Sequence, residues 1–257
     1  MDLQKAADVL CEAEKARKQI GMLSQENPDM TVDNAYAIQL KNIAKRVANG
    51  EKVIGMKIGL TSVGMQKLLG VDVPDYGHLM DNMLLLEGQP CHTAELIQPK
   101  VEGELAFCLR KTLRGPAVTI ADVYEATSYV VPALEIVDSR IKDWKIKLVD
   151  TIADNGSSAR LVVGSGMTPI EQVDMRLTGM VFEKNGVMVN TGTTAEVWGN
   201  PAAAVAWLAN SLATYNIELK EGSIILAGAL TAAQPAQAGD SFMAHFYGLG
   251  TVGVKFI

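Results

Sequence analysis

From residue 51 onward, the sequence consists of short apolar runs that Gly, Pro and Asp residues separate. Short runs bounded by turn residues are typical of β-strands, whereas helices need longer stretches of regular period. The strongest turn signal is the Asn-Gly pair within residues 183–189, because this pair favours the type I′ turn of a β-hairpin. The predicted strands are residues 53–59, 84–86, 101–109, 129–137, 158–163, 177–183, 223–227, 241–247 and 251–256.

The first fifty residues have a helical pattern instead. Apolar residues recur every three to four positions between residues 3 and 20, and a second helix is predicted for residues 32–49, with Thr31 as its N-cap and Gly50 after its end. Two later helices are predicted at residues 119–126 and 201–216, the second of which begins with Pro201. The pattern predicts an α+β fold with a helical segment at residues 1–50 and a β-rich domain at residues 51–257.

Composition narrows the class of protein. The chain has 257 residues, 48% of them hydrophobic and 20% charged, which is ordinary for a globular protein, and its net charge of −6 argues against a nucleic-acid binder. Three scattered cysteines, Cys11, Cys91 and Cys108, do not suggest disulfides or a zinc site. The amino terminus lacks the apolar segment of a signal peptide, and the most apolar stretch is too short to span a bilayer. We therefore expect a cytoplasmic protein that binds neither nucleic acid nor membrane.

Two glutamates lie within one predicted strand. Alternate side chains of a strand point to opposite faces, so Glu102 and Glu104 share a face and lie about 6 to 7 Å apart along the strand. This spacing suits two oxygen ligands of one cation. It equally suits two solvated charges on a half-exposed strand, which is the ordinary place for glutamate.

A third glutamate, Glu135, lies in a predicted strand whose two faces are both apolar. An ionised carboxylate in such surroundings costs free energy unless it has a partner. The partner is an arginine such as Arg140, a shared proton, or a metal ion. Together with Glu102 and Glu104, Glu135 would form an all-oxygen site of the kind that favours magnesium or manganese over zinc.

Lys57 is the second unusual residue in a predicted strand. It lies between Gly55 and Gly59 on the face opposite to Met56 and Ile58. Glycines beside a lysine remove side-chain bulk, which leaves room for a ligand that approaches the backbone. The alternative is a surface lysine whose ammonium group reaches water.

Two polar segments are predicted to be loops. Residues 70–79 contain Asp72, Asp75 and His78, and acids in loops commonly stabilise turns. Residues 150–160 contain Asn155 and Ser158, and such a loop either hydrogen-bonds an anionic substrate or forms a tight turn.

Two other patterns do not indicate a site. Gly248, Gly250 and Gly253 match the spacing of a dinucleotide-binding loop, but no helix follows them to bind a pyrophosphate. The three histidines at positions 78, 92 and 245 lack the spacing of metal ligands, and no Ser, His and Asp arrangement suggests acyl transfer.

Taken together, six ordered segments resemble the 2-hydroxypenta-2,4-dienoate hydratase and 4-oxalocrotonate decarboxylase family, which belongs to the wider fumarylacetoacetate hydrolase fold. The likeness extends from about residue 3 to residue 257. The segments are GMKIGLTS (55–62), VDVPDYGHL (71–79), IQPKVEGELAF (97–107), ALEIVDSRIKDW (133–144), DTIADNGSS (150–158) and YGLGTVGVKF (247–256).

The resemblance implies a β-rich catalytic core, a mixed β-sandwich or roll, with a helical amino-terminal part. It implies a magnesium or manganese ion bound by Glu102, Glu104 and Glu135, the same residues that the strand pattern singles out. It also implies that Lys57 and Asp75 are catalytic. The residues that it implies for substrate binding are Leu60, Asn155 and Ser158.

The resemblance also implies a chemistry. Substrates of the family are 2-hydroxydienoates, which ketonise to 2-oxo acids whose carboxylate and oxo oxygens chelate one metal ion. Chelation polarises the oxo group and stabilises the enolate that forms when a proton moves or water adds at the far end of the conjugated chain. Lys57 would offset the charge of the substrate and move a proton, and Asp75 would act as general base.

The aspartate in Pro74-Asp75-Tyr76-Gly77 favours a hydratase, since decarboxylases of the family tend to have an apolar residue there. Trp144 and Thr151 favour the same assignment, whereas the Thr-Ala-Ala of residues 231–233 resembles a decarboxylase. We therefore expect hydration of 2-hydroxypenta-2,4-dienoate, with 4-oxalocrotonate decarboxylation as the alternative. Subunits of the family associate, so we expect a homo-oligomer; a complex with a pathway enzyme of the same family and a non-catalytic partner subunit are further alternatives.

Overall fold

The computed structural model describes residues 1–62, 64, 66–67, 70–71 and 73–257. Within them, the helices are α1 (Leu3–Ala16), α2 (Leu23–Glu26), α3 (Val32–Ala48), α4 (Ile120–Ala126), α5 (Leu148–Ala153) and α6 (Pro201–Leu212). The strands are β1 (Val53–Gly59), β2 (Asp75–Met80), β3 (Leu84–Leu86), β4 (Lys100–Leu109), β5 (Thr127–Val137), β6 (Ser158–Val163), β7 (Thr168–Pro169), β8 (Gly179–Lys184), β9 (Val187–Thr193), β10 (Ile224–Ala229), β11 (Gln234–Pro235), β12 (Ser241–Phe246) and β13 (Gly250–Lys255).

The amino-terminal helices form as their sequence signals indicate. The Asp2 side chain accepts hydrogen bonds at the start of α1, and Thr31 forms a capping box at the start of α3. The apolar period that continues to residue 20 does not extend the first helix, because Arg17 adopts a left-handed conformation with φ 53° and ends α1 at Ala16. The buried faces of α1 and α3 belong to the same hydrophobic core as the strands. The division of the chain at residue 50 stays a prediction.

A nine-stranded mixed sheet forms the centre of the protein. The strand order along its main path is β2-β1-β10-β4-β5-β6-β3, with β11 paired to β4 and β7 paired to β5. The β1/β10 and β3/β6 pairs are parallel, and the remaining pairs are antiparallel. This order brings β1, β4 and β5, which contain the predicted lysine and glutamates, into one sheet, with β10 between β1 and β4.

A second, four-stranded antiparallel sheet has the order β13-β12-β8-β9 and covers one face of the large sheet. The contact is close at Gly103 on β4, where an added Cβ atom would lie 2.5 Å from the sulfur of Met180 on β8. The position of a Cβ atom at Gly103 is on the face of β4 opposite to the side chains of Glu102 and Glu104, as the alternation of a strand requires. One face of β4 therefore packs in the core, and the other face is free to form a site.

The prediction of a loop at residues 70–79 is wrong for the second half of that segment. Residues 75–80 form β2, and all six are buried. The sequence pattern did not indicate a buried strand because Asp75 and His78 are polar. Their partners come from distant segments: Lys57 lies beside Asp75, and Gln39 is hydrogen-bonded to His78. Asp72 lies outside the described residues.

Other boundaries also differ from the predictions, most of them by one or two residues. The polar segment 150–160 begins inside helix α5, continues through a 3-10 turn at Asn155–Ser157 and ends in β6. The strand expected from residue 177 begins at Gly179, and the helix expected to reach residue 216 ends at Leu212 before a 3-10 turn. Among the described residues, no helix combines the length and the apolar character needed to cross a bilayer.

Candidate active site

Three glutamates converge on the open face of the large sheet. Glu102 on β4 lies directly opposite Glu135 on β5, and Glu104 follows two residues later on the same face of β4. One carboxylate oxygen from each of the three lies within 4.8 Å of the others. Glu104 and Glu135 are almost completely buried, with exposed fractions of 1% and 0%, and Glu102 is half-buried. The structure thus brings together the three glutamates that the sequence singles out.

These carboxylates have too few partners for buried anions. Oε2 of Glu104 accepts a hydrogen bond from the Gly228 N–H at 2.8 Å. Among the described residues, Oε1 of Glu104 and both oxygens of Glu135 have no hydrogen bond of normal geometry. A buried acceptor without a partner is costly, and each such atom calls for an explanation. A cation between the three side chains supplies one.

The pKa values of the three carboxyl groups are raised. Burial, followed by the negative charge of Glu135, raises the pKa of Glu102 to about 7. Burial and the charges of Glu135 and Glu102 raise the pKa of Glu104, and burial raises the pKa of Glu135. The cluster thus holds protons or a cation in preference to three bare charges. An all-carboxylate set of donors suits a hard divalent cation, so the residues present fit a metal site.

Lys57 on β1 reaches this cluster. Its ammonium nitrogen lies 3.5 Å from Oε2 of Glu135, and only 4% of the residue is exposed. Burial disfavours the charged form, but the charges of Glu135 and Asp75 outweigh it, so the pKa of Lys57 is raised. The alternative of a surface lysine is therefore wrong. Arg140 is not the partner of Glu135, because its guanidinium group binds Asp154 instead.

The approach of Lys57 to Glu135 depends on the curvature of the sheet. Strands β1 and β5 are separated by β10 and β4, so three strand spacings divide them. In a flat sheet the backbones of these two strands would be about 14 Å apart, so the long side chains of Lys57 and Glu135 must lean toward each other to bring Nζ and Oε2 within 3.5 Å. The sheet curls, and the four charged groups lie on its concave face.

The glycines beside Lys57 make room for protein rather than for a ligand, which corrects the interpretation of the sequence. A Cβ atom at Gly55 would lie 1.8 Å from the carbonyl oxygen of Ile224 on the neighbouring strand. A Cβ atom at Gly59 would lie 2.1 Å from Oδ1 of Asp75 and 3.1 Å from Nζ of Lys57. Gly59 is therefore needed for the Asp75 carboxylate to lie beside the Lys57 ammonium group.

Asp75 begins β2, where it pairs with Gly59, and 2% of it is exposed. Burial raises the pKa of Asp75, although the charge of Lys57, the Thr151 hydroxyl and the Gly59 N–H act in the opposite direction. The structure thus brings the predicted base into the same cluster as the predicted lysine.

Asn155 and Ser158 lie beside the site but do not line its cavity. The side-chain oxygen of Asn155 accepts a hydrogen bond from the His78 N–H at 2.7 Å, and its side-chain nitrogen donates to the His78 carbonyl at 2.9 Å. The adjacent Gly156 packs against the side chain of Lys57. Ser158 is buried near Glu135 and lowers the pKa of that carboxyl. Asn155 thus holds the backbone of β2, and Ser158 lies beside Glu135 outside the cavity wall.

A cavity of about 590 Å³ opens in front of the cluster. Its wall contains Lys57, Asp75, Glu102 and Leu60, the last of which the resemblance implies for substrate binding. Sequence reasoning gave no site role to several other residues of the wall. These are Thr61, Lys100, Ile146, Ser157 and Glu196.

Strained backbone borders this cavity. Leu60, Trp144 and Ser157 have φ values of 57°, 56° and 55°, and residues other than glycine seldom adopt such values. Strain of this kind persists where the surrounding structure enforces it, and it is concentrated at functional sites. Ser157 could have been found from its polar segment, whereas nothing local in the sequence indicates the conformation of Leu60 or Trp144.

Comparison with known proteins gives consistent results. Residues 70–257 match the family model for the fumarylacetoacetate (FAA) hydrolase C-terminal region. The chain is 45% identical to a 2-hydroxyhexa-2,4-dienoate hydratase of Comamonas testosteroni, covering 96% of this chain and 94% of that protein. It is also 45% identical to a 2-keto-4-pentenoate hydratase of Paraburkholderia xenovorans, covering 98% and 94%.

A solved structure with the same fold is that of 4-oxalocrotonate decarboxylase from Pseudomonas putida G7, complexed with magnesium and adipate. It matches with a TM-score of 0.97 and 37% identity, covering 99% of this chain and 97% of the other. The chain therefore belongs to the fumarylacetoacetate hydrolase family, within the group of 2-hydroxypenta-2,4-dienoate hydratases and 4-oxalocrotonate decarboxylases.

Proposed function

We propose that this protein catalyses the metal-dependent hydration of 2-hydroxypenta-2,4-dienoate to 4-hydroxy-2-oxopentanoate, in the meta-cleavage pathway of aromatic degradation. The observation that carries the proposal is the convergence of three carboxylates, Lys57 and Asp75 at one cavity. The identity of 45% to a 2-keto-4-pentenoate hydratase supports the same reaction.

Glu102, Glu104 and Glu135 would hold a magnesium or manganese ion. When bound, the ion would act as a Lewis acid toward the 2-oxo acid end of the substrate. The three glutamates and the dication together have a charge of −1, which by itself would repel an anionic substrate. The ammonium group of Lys57, 3.5 Å from Glu135, offsets this negative charge. The positive charge of Lys57 therefore favours binding of the substrate carboxylate.

The proposed reaction requires two proton transfers and one addition of water. The dienol loses the proton of its 2-hydroxyl group and gains one at C5, which gives a 2-oxo-3-enoate; water then adds its oxygen at C4, and a proton is delivered to C3. Asp75 accepts a proton from the 2-hydroxyl group or from the water, and Lys57 donates and recovers a proton. The Asp75 carboxylate and the Lys57 ammonium group both lie close to the position that a Cβ atom of residue 59 would occupy, so a proton would pass between them over a short path.

The substrate contacts of Leu60, Asn155 and Ser158 remain predictions. We assign Leu60 to the wall against which the substrate packs, since it lines the cavity. Asn155 would act on the substrate through the backbone of His78, to which it is hydrogen-bonded, and Ser158 through its effect on the pKa of the Glu135 carboxyl group.

Decarboxylation of 4-oxalocrotonate is the second candidate reaction. The TM-score of 0.97 to such an enzyme favours it, as does the position of Thr231, Ala232 and Ala233 on the cavity wall. The buried carboxylate of Asp75 favours hydration, because activation of water needs a base whereas loss of carbon dioxide from a 2-oxo acid does not. We therefore place hydration first.

We further propose a cytoplasmic homo-oligomer. The β8/β9 hairpin exposes apolar side chains that a second copy would cover, among them Val187 and Met188 with exposed fractions of 65% and 62%. Association with a pathway enzyme of the same family is the alternative use of this surface.

The assay that tests the reaction offers the purified protein 2-hydroxypenta-2,4-dienoate and, separately, 4-oxalocrotonate. Each is given with magnesium or with chelator, and the dienol absorbance and carbon dioxide release are followed. We expect loss of dienol absorbance that requires magnesium and that the E104Q variant lacks. Carbon dioxide from the second substrate without hydration of the first would contradict the assignment, and unchanged turnover in E104Q would contradict the metal site.

A further inference from the structure

Gln39 lies in helix α3 and does not line the cavity, yet it is hydrogen-bonded to the strand that begins with Asp75. The residue is completely buried. Its side-chain nitrogen donates to the Tyr76 carbonyl at 3.0 Å and to the Ile152 carbonyl at 2.8 Å. Both N–H groups of the amide therefore have an acceptor, and the proposed reaction gives this amide no role.

The side-chain oxygen of Gln39 faces the ring of His78, with 2.9 Å between Oε1 and Nδ1. Because the amide nitrogen is turned toward two carbonyls, this oxygen can only accept a hydrogen bond, so Nδ1 of His78 carries the hydrogen. Burial lowers the pKa of His78 to about 4, which keeps the ring neutral. Every polar atom of the Gln39 side chain thus has a partner, and these partners hold the amide in one orientation.

Helix α3 contacts β2 through a second residue. Tyr36 lies one turn before Gln39 on the same face of the helix, and its ring stacks on that of Tyr76 with 4.2 Å between the ring centroids. Tyr76 and His78 point to the face of β2 opposite to Asp75, as the alternation of a strand requires. Helix α3 therefore packs against the back of the strand whose first residue is the proposed base.

The two carbonyls that Gln39 binds belong to the two segments that meet at Asp75. Tyr76 follows Asp75 in β2, and Ile152 follows Thr151 in α5. Thr151 lines the cavity, and its hydroxyl, against the effect of burial, lowers the pKa of the Asp75 carboxyl. One buried amide thus joins the strand of the base to the helix that carries the hydroxyl beside it.

We propose that Gln39 is a positioning residue for Asp75, because its amide holds β2 and α5 at the spacing that places the Asp75 carboxylate in the cavity. The amino-terminal helical segment then takes part in catalysis without touching the substrate. The inference rests on the proposed function, since it takes Asp75 as the base. The alternative is an amide that only satisfies two buried carbonyls, which would affect stability and not the reaction.

The test is a double-mutant cycle of Q39M and D75N, with hydration of 2-hydroxypenta-2,4-dienoate as the assay. Methionine has nearly the length of glutamine but cannot form these hydrogen bonds. We expect Q39M to lower kcat by about tenfold to a hundredfold while KM changes little, because displacement of a reacting group by about 1 Å costs rate on that order. In the D75N background we expect a further loss of at most about twofold, because residues that act through one another are not additive. Calorimetric titration of Mn²⁺ should give Q39M the affinity of the parent.

The matched control is N42M. Asn42 lies one turn further along α3 and is half-buried, and among the described residues it forms no hydrogen bond with β2. We expect N42M to keep the kcat of the parent. A second pair of variants changes the same contact from β2 and serves if Q39M does not fold. H78N keeps a donor near the position of Nδ1 and H78L removes it, so H78L should lower kcat more than H78N does.

An unchanged kcat in Q39M would overturn the inference. So would a loss of the same size with and without D75N, a loss that N42M shares, or weaker Mn²⁺ binding, because Gln39 would then act elsewhere or on the fold as a whole. If Q39M does not fold, equal kcat of H78N and H78L overturns it. Parental activity of D75N would refute the base of the proposed function, whatever the Gln39 variants do. If the parent decarboxylates 4-oxalocrotonate instead, the proposed function fails, and the same cycle measured with that substrate still decides the role of Gln39.

Discussion

At the scale of single residues, Lys57 determines the charge balance of the cavity. Its ammonium group is buried among carboxylates, and their negative charges raise its pKa in spite of the cost of burial. The sequence pattern identified Lys57 and the three glutamates because a polar residue in an apolar strand is conspicuous. It could not identify their partners, because Lys57 and Glu135 are brought together by strands that are far apart in the sequence.

Replacement of Lys57 should separate catalysis from metal binding. We expect K57M to lower kcat by about 10² to 10⁴, the usual contribution of a positioned proton-transfer group. We expect its affinity for Mn²⁺ to be retained or increased, because removing a cation leaves the three carboxylates more negative. Stopped-flow turnover and calorimetric titration of Mn²⁺ check the two expectations. A variant that loses Mn²⁺ binding along with activity would show that Lys57 maintains the structure of the site instead.

At the scale of elements, the edge strand β2 places Asp75 beside Lys57. One edge of β2 is paired with β1. Along its other edge, the amide groups of side chains take the place of a neighbouring strand. Asn155 binds both backbone groups of His78, and the Gln39 amide donates to the carbonyls of Tyr76 and Ile152. The sequence did not predict this strand, because its hydrogen-bond partners are side chains from helix α3 and from the turn after α5.

The contact between β1 and β2 predicts a sensitive glycine. We expect G59A to lose most activity, because the new Cβ atom would meet Oδ1 of Asp75 at 2.1 Å and displace the carboxylate. Displacement by about 1 Å at a reacting group can cost on the order of 10²-fold in rate. The control is G179A, where an added Cβ atom has no described atom within 4 Å and φ is not positive. Equal activity of G59A and the parent enzyme would refute the assigned position of Asp75.

The clamp formed by Asn155 gives a second prediction at this scale. We expect N155A to lower kcat by tenfold or more while KM changes little, because the amide holds the backbone of β2 and does not line the cavity. Steady-state kinetics with 2-hydroxypenta-2,4-dienoate gives both constants. A rise in KM at constant kcat would instead indicate direct contact between Asn155 and the substrate.

At the scale of the whole molecule, we expect the carboxylate cluster to oppose stability in the absence of a bound cation. Three carboxyl groups on the concave face have raised pKa values, and Oε1 of Glu104 and Oε1 of Glu135 have no hydrogen-bond partner among the described residues. Removal of the metal should therefore lower Tm. A free cation concentration of one hundred times Kd stabilises a protein by about 2.7 kcal/mol, which corresponds to a rise in Tm of roughly 5 to 10 °C for a chain of this size.

The pH dependence of the metal-free protein follows from the same groups. Burial raises the pKa of Glu102 to about 7 in the folded chain, so the folded state binds this proton more tightly than the unfolded state does. The free energy of unfolding should therefore increase as pH falls from 8 to 6.5. Below that range, burial of His78, which lowers its pKa to about 4, has the opposite effect. Denaturant unfolding of the parent and of E102Q in chelator measures the difference; an equal dependence in both would exclude Glu102 as its source.

The extent to which the sequence predicts the fold also differs along the chain. Strand β4 was predicted almost to the residue, since its apolar and acidic positions alternate regularly. The curl of the sheet and the left-handed backbone of Leu60 and Trp144 were not predicted, because both arise from packing between segments that are distant in sequence. The charged residues of the site can thus be predicted from the sequence, whereas the shape of the cavity beside them cannot.

The central claim is that Glu102, Glu104 and Glu135 bind one divalent cation together. Crystals grown with Mn²⁺ and measured at the manganese absorption edge test it most directly. We expect a single strong anomalous peak on the concave face of the sheet, about 2.0 to 2.4 Å from one oxygen of each glutamate. Carboxylates that point apart with no anomalous peak between them would contradict the account.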